Sequence, residues 1–339
     1  MSAFAAMHAE LMERARMAVG SLLSPGEPCA LVDFPCHSNV GDSAIWLGER
    51  ELLRWAGTPV VYTCDLESFS EQDLRSCLPD GTILIHGGGN FGDLWPHHQV
   101  FRERLVAAFP GHRIIQLPQS IHFEDRENLR RAQSVLLAHP DFTLCARDLG
   151  SYEAAATLAK RRVLSPDLAF ATGPIAQSPG SIRQDIVWLA REDHESAGQP
   201  APELGDSVRK TDWIDEAHEP ADSRAFLDLA LGDYSNSHGC PRGIPTRLDA
   251  ADRLAAARVS RGCRLLASGR TVITDRLHGH ILSLLLGLSH ILVADRTGKI
   301  AETYRSWTAA SPLARWARTP AEALAEASSV GKLQLGPDR

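Results

Sequence analysis

Thr271-Val272-Ile273-Thr274-Asp275-Arg276-Leu277-His278-Gly279-His280-Ile281-Leu282-Ser283-Leu284-Leu285-Leu286 is the stretch on which the fold turns. A short apolar run meets a charged turn, and a second apolar run follows. The pattern predicts a buried strand whose end opens directly into a buried helix. In an open α/β sheet, ligands gather at the carboxyl ends of strands. An arginine and a histidine at a helix N-terminus there form an anion site with a proton donor beside it. A capped helix with Asp275 simply paired to Arg276 is the competing reading. It leaves two further histidines, His278 and His280, without a purpose.

The same rhythm extends through the rest of the chain. Strands are expected at residues 29–34, 59–63, 82–86, 113–117, 142–145 and 163–165. Helices are expected at 43–56, 99–109, 124–138 and 151–160, with Asp42 as the cap of the first. The alternation predicts a mostly parallel sheet covered on both faces. Residues 172–180 turn to Gly, Pro, Ser and Ala and read as a linker. A second α/β unit begins with a strand at 185–190. It continues with a helix at 248–266, the stretch quoted above, a strand at 290–294, and helices at 299–307 and 320–328. Residues 195–246 are polar and weakly periodic, either an irregular insertion or a set of short elements over the site. The simplest architecture is two α/β domains with a cleft between them, residues 1–173 and 174–339.

The totals narrow the function. The chain has 339 residues, 44% hydrophobic and 23% charged, with a formal net charge of -7. That balance argues against non-specific nucleic-acid binding. Lys160-Arg161-Arg162 reads as the cationic end of a helix. Seven cysteines without CxxC spacing suggest neither a disulfide framework nor a zinc site. His97 and His98 lack the spacing of metal ligands, so no metal is expected. Residues 1–17 read as an amphipathic helix, not a signal peptide, and no apolar run reaches the roughly 20 residues needed to span a bilayer. The expectation is a cytoplasmic protein.

Several strand ends carry groups suited to chemistry. Asn39-Val40-Gly41-Asp42 brings a carboxylate that either caps a helix or orients and deprotonates a hydroxyl. His86-Gly87-Gly88-Gly89-Asn90-Phe91-Gly92-Asp93-Leu94-Trp95 reads as a glycine-rich turn whose backbone can approach a ligand. It is neither a GxGxxG nor a P-loop. Phe91 and Trp95 suit a sugar face or the core. Gln119, in Gln116-Leu117-Pro118-Gln119-Ser120, suits a polyol or merely its own turn. Arg147 offers a bidentate fork for a carboxylate or phosphate, unless it pairs with Asp148 at the surface. The run 189–195 reads as a solvated charged face. Lys299 either reaches an anion or stays at the surface.

Taken together, NVGDSAIW, HGGGNFGDLW, QLPQSIHF, CARD, SPD, LARED and TDRLHGHI resemble the polysaccharide pyruvyl transferase family, in order and approximate spacing, over about residues 29–307. One departure is Arg296, where the family pattern has asparagine. The resemblance implies two Rossmann-like domains facing a cleft, similar to GT-B glycosyltransferases, with the acceptor on the N-terminal side and the donor on the C-terminal side. It implies phosphoenolpyruvate as co-substrate, with no cofactor. The acceptor is a sugar, free, nucleotide-linked or lipid-linked, the last placing the protein at the inner face of a membrane. Two of its hydroxyls become bridged in a pyruvate ketal, in exopolysaccharide or cell-surface glycan biosynthesis. Arg147, Arg276, Leu277 and His278 fall on the donor positions.

The chemistry agrees with that implication. A donor carrying both phosphate and carboxylate suits two arginines. His278 is the candidate acid for the donor's methylene carbon and Asp42 the candidate base, with Arg276 holding developing charge. Asn39, Gly88, Gly89, Asn90, Gln119 and Lys299 complete the expected substrate contacts. The alternatives are a GT-B glycosyltransferase using a nucleotide sugar and a non-catalytic sugar- or anion-binding module.

Overall fold

Strands β1 (Cys29–Val32), β2 (Val60–Cys64), β3 (Thr82–Ile85), β4 (Gly88–Gly92), β5 (Arg113–His122), β6 (Phe142–Ala146) and β7 (Arg161–Leu164) form one sheet in a computed structural model of the chain. The structure describes residues 3–176, 182–193, 195–200, 202–214 and 244–334. The strand order is β2-β1-β3-β5-β6-β7, with β4 pairing β5. The pairings are parallel. β1 and β6 are buried along their whole length, as strands covered on both faces must be. From β1 the chain steps outward to β2, then returns to β3 on the other side of β1. The crevice beyond the carboxyl ends of β1 and β3 is therefore the place where such a sheet binds ligands.

A second parallel sheet has the order β12-β11-β10-β8-β9. Its strands are β8 (Gln184–Leu189), β9 (Val208–Thr211), β10 (Gly269–Thr274), β11 (His290–Leu292) and β12 (Ala314–Trp316). Here the order reverses between β8 and β10. The strand–turn–helix expected at the decisive stretch is β10 followed by the helix Leu277–Leu285.

Local details differ from expectation for physical reasons. The glycine-rich segment is not a turn but strand β4, pairing Gly88 with Gln119 and Gly92 with His122. β5 runs on through Pro118, because the proline sits in a register shift between Gln116 and Gln119 that tolerates a missing N–H. The helix expected at 43–56 starts at Val40, and its cap is Asn39, not Asp42. Asn39 is extended and its side chain accepts from the Gly41 amide, which leaves Asp42 inside the first turn. Arg161 and Arg162 lie in β7 rather than at a helix end. The preceding helix stops at Ala154 and closes with a 3-10 turn. The helix Glu71–Cys77 and strands β9 and β12 are additional. Residues 201 and 215–243 of the 195–246 region, Cys240 among them, part of the expected linker (177–180) and residues 181 and 194 lie outside the described residues.

The largest apolar cluster does not stop at either sheet. It joins Leu31, Ile115 and Leu117 of the first to Val187, Leu189 and Val272 of the second, with Trp46, Phe170 and Ile281 between them. A second cluster covers the far face of the first sheet, including Ile83, Phe91 and Phe109, and a third covers that of the second, including Ile186, Ile273 and Ile291. The helices Val40–Ala56 and Ile244–Leu266 pack together within the shared layer. Asp252 ties them, accepting from Trp46 Nε1 at 2.9 Å, Arg50 Nε at 3.1 Å and an Arg54 nitrogen at 3.2 Å.

Candidate active site

The carboxyl ends of both sheets line one cavity of about 350 Å³. From the first sheet come Asn39, Asp42, Gly89, Asn90 and Arg147. From the second come Arg191, Asp193, Glu195, Arg276, Leu277, His278 and Lys299. Of the expected residues, Gly88 and Gln119 do not line it.

Arg147 follows the last residue of β6 and is fully buried. It donates to Asp167 at 2.7 Å and through Nε to the Ser120 hydroxyl at 2.9 Å. The alternative, a surface pairing with Asp148, does not occur among the described residues. Asp148 is itself buried, accepting from the Ser120 hydroxyl and from the Ser151 amide of the helix it caps. Gly89 lets this guanidinium lie against the backbone: a Cβ there would stand 3.0 Å from an Arg147 nitrogen and 3.4 Å from Lys299 Nζ. The Arg147 carbonyl is fixed in turn by Trp307 Nε1 at 2.7 Å.

Arg276 approaches from the opposite sheet. Its guanidinium donates through one terminal nitrogen to Asp212 at 2.5 Å and to Asp193 at 3.3 Å, while among the described residues its buried Nε meets no hydrogen-bond partner. Asp275 is not its counter-ion. That carboxylate accepts from the Arg191 amide at 2.7 Å, and burial pushes its pKa up to about 6.

His278 lies on the first turn of its helix, against Gly41 of the other half. A Cβ on Gly41 would fall 2.2 Å from His278 Nδ1, so only glycine permits this approach. Nε2 stands 3.4 Å from Asp167 Oδ2, an ion-pair contact that falls short of hydrogen-bond geometry. Burial alone would raise the Asp167 pKa. His278, Arg147 and the Ala169 amide instead hold it well below the usual carboxylate range.

The run 189–195 is not a solvated face. Arg191 and Glu195 are buried, paired with each other at 2.5 Å, and Arg191 also holds Asp193 at 3.0 Å. Glu195 accepts from Trp95 Nε1 at 3.1 Å and pairs with Lys299, which is therefore a cavity residue rather than a surface lysine. Burial lowers the Lys299 pKa against the opposing pull of Glu195. Trp95 faces the cavity, whereas Phe91 belongs to the core under the Arg102 guanidinium.

On the first-sheet wall, Asn39 Nδ2 donates to Asp42 at 2.8 Å and His37 Nε2 lies 3.5 Å from the same oxygen. Burial favours the neutral Asp42 acid, but His37, His278, His86 and Arg147 together keep its pKa lowered. Gly88 backs onto Asp42: its Cβ would lie 3.4 Å from Oδ1. Gln119 is wholly enclosed. Its amide donates to the His86 carbonyl and to Asn90 Oδ1 at 2.9 Å, and accepts from the Asn90 amide at 3.3 Å. It braces Asn90, which lines the cavity.

Sequence reasoning missed Asp193, Glu195 and Asp212 as partners, and Asp33 and His98 on the wall near Asp42. The available signal was the density of charge after a buried strand. Arg296, at the departure from the pattern, pairs outward with Glu124 at 2.6 Å. Among the described residues no cluster of metal ligands exists, and no helix is long and apolar enough to cross a membrane.

Comparison with known proteins bears on this arrangement. The model of the polysaccharide pyruvyl transferase family matches residues 39–296, which takes in every cavity group named so far except His37 and Lys299. This chain belongs to that family. Among relatives, it is 36% identical to pyruvyl transferase 1 of Schizosaccharomyces pombe over 82% of this chain and 69% of the other. It is 31% identical to EpsO of Bacillus subtilis, also named as a pyruvyl transferase, over 84% and 86%. A functionally uncharacterised protein from Klebsiella pneumoniae shares the fold, with a TM-score of 0.57 at 15% identity over 94% of this chain and 100% of that one. The pyruvyl transferase family match accords with a transferase acting in polysaccharide biosynthesis.

Proposed function

We propose that this protein transfers the enolpyruvyl group of phosphoenolpyruvate onto two hydroxyls of a sugar, forming a pyruvate ketal and releasing phosphate. The carrying observation is the convergence of Arg147 and Arg276 from two sheets on one cavity with His278, whose Nε2 faces the Asp167 carboxylate at 3.4 Å. The donor bears a carboxylate and a phosphate, and two guanidiniums on separate elements match two anionic ends. Lys299 adds a cation beside Gly89. His278 protonates the methylene carbon, generating an oxocarbenium-like centre at the adjoining carbon. One acceptor hydroxyl attacks that centre and phosphate then departs. The second hydroxyl closes the ketal. Of the two hydroxyl protons, one restores His278 and the other leaves with phosphate. Asp42, expected as the base, is held as a carboxylate with a depressed pKa. That suits it to orient a hydroxyl through an accepted hydrogen bond more than to remove a proton.

In this reading the two sheets act as GT-B-like halves, acceptor on the first and donor on the second. The work is cytoplasmic, at the inner membrane face where the acceptor is lipid-linked, and requires no cofactor or metal. Calorimetric titration with phosphoenolpyruvate, UDP-sugars and GDP-sugars tests it. Binding of phosphoenolpyruvate supports the reading. Binding of a nucleotide sugar with no affinity for phosphoenolpyruvate would move the chain to sugar transfer and refute it.

A further inference from the structure

Asp33 is the one non-glycine described residue with a positive φ, 69°, immediately after β1. Aspartate tolerates the left-handed region better than most residues, yet such a conformation persists only where its surroundings enforce it. Here it turns the carboxylate inward at the crevice between β1 and β3. The side chain is fully buried and, among the described residues, accepts from His98, whose Nδ1 lies 3.0 and 3.1 Å from its two oxygens. His98 sits in the first turn of the helix Pro96–Ala108, which follows the glycine-rich strand. It lines the same cavity as Arg147, Arg276 and His278. A carboxylate on Nδ1 fixes the tautomer that carries its proton there, leaving Nε2 as the basic nitrogen. Among the described residues no hydrogen bond engages that nitrogen.

We infer that His98 is the general base that takes the proton of the attacking acceptor hydroxyl, with Asp33 as its positioning residue. This rests on the pyruvyl-transfer reading. His98 Nε2 receives the proton of the first hydroxyl as its oxygen bonds to the cationic carbon of the donor. The imidazolium then gives that proton to the phosphate oxygen as the carbon–oxygen bond breaks, the electron pair leaving with phosphate. The second hydroxyl's proton returns to His278. One histidine thus serves each reactant, and the dyad supplies the base that Asp42 is poorly suited to be. The groups facing His98 are Asp33 from the end of β1, His37 and Asp42 from the segment that follows it, and His97 on its own helix, with ring centroids 4.5 Å apart.

The test uses the full chain, phosphoenolpyruvate, and a panel of methyl pyranosides offering 4,6- and cis-3,4-diols, with phosphate release as the readout. No release by the wild type with any glycoside would refute the pyruvyl-transfer reading, and this inference with it. Given wild-type turnover, His98→Gln is expected to keep the phosphoenolpyruvate dissociation constant and the glycoside KM within threefold. Its kcat should fall at least 100-fold and recover in part with added imidazole. Asp33→Asn, which retains the side-chain shape, is expected to lower kcat about tenfold or more and to shift the acidic limb of the kcat–pH profile to lower pH. An unchanged kcat in His98→Gln, or a raised glycoside KM alone, would overturn the assignment. So would a kcat loss in Asp33→Asn with an unmoved pH profile.

Discussion

Arg276 has its geometry set before any ligand arrives. Asp212 and Asp193 both accept from one terminal nitrogen of the guanidinium and so fix its orientation at the cavity. Arg276→Ala is therefore expected to abolish phosphoenolpyruvate binding in calorimetry while the far-ultraviolet circular dichroism stays native. A dissociation constant within threefold of wild type would remove Arg276 from the donor site. His278→Gln should bind the donor normally and lose turnover by roughly 10²- to 10⁴-fold, as for loss of a general acid. Near-normal rates would end that role. Gly41→Ala places a methyl where the His278 ring lies, so kcat should fall with little change in fold. An unaltered kcat would show that the ring has room to shift. Arg147, Arg276 and His278 were legible because such residues at the ends of buried strands demand a reason. Asp193, Glu195 and Asp212 were not. A charged run looks the same in sequence whether it faces water or faces arginines from another strand, and only tertiary contact separates the two.

At the level of elements, the helix Leu277–Leu285 and strand β11 are joined by buried histidines. His280 Nδ1 lies 2.6 Å from His290 Nε2, and His280 Nε2 meets the Thr308 hydroxyl at 2.7 Å. Burial drives both pKa values down, that of His290 to about 4, so the pair is neutral in the folded chain. A base depressed on folding contributes stability above its unfolded value near 6.5 and loses it as pH falls toward 4. His290→Asn should therefore narrow its stability gap to wild type between pH 7 and pH 5 in urea titrations. The change is on the order of 1–3 kcal/mol, from about 1.4 kcal/mol per pKa unit. A gap independent of pH would show that the pair already carries a charge. Element types were read well where apolar runs were long. Boundaries failed where one side chain decides them. Asn39 took the cap assigned to Asp42, and Pro118 passed through a strand because the register shift there spares its missing donor.

Over the whole molecule, the apolar layer shared by both sheets argues that neither half is a separate folding unit. Calorimetric melting should give one cooperative transition, and two resolved transitions would refute the shared core. Asp252→Ala leaves the buried indole N–H of Trp46 without its acceptor and frees Arg50. About 2 kcal/mol of stability should be lost, a typical penalty for an orphaned buried donor. The alternating order of elements made both parallel sheets legible. Their common core was not, because any apolar residue in a strand reads alike whichever sheet it packs against. The pairing of cavity cations with carboxylates has a further consequence at this scale. The protein is net negative and Arg147, Arg191, Arg276 and Lys299 are each paired with a carboxylate, so the cavity projects little positive potential into solvent. On the proposed reading, the donor is captured over short range by cations whose carboxylate partners already hold them in place. Long-range steering has little part in it, so the association rate should vary far less with ionic strength than that of an anion site built from unopposed cations.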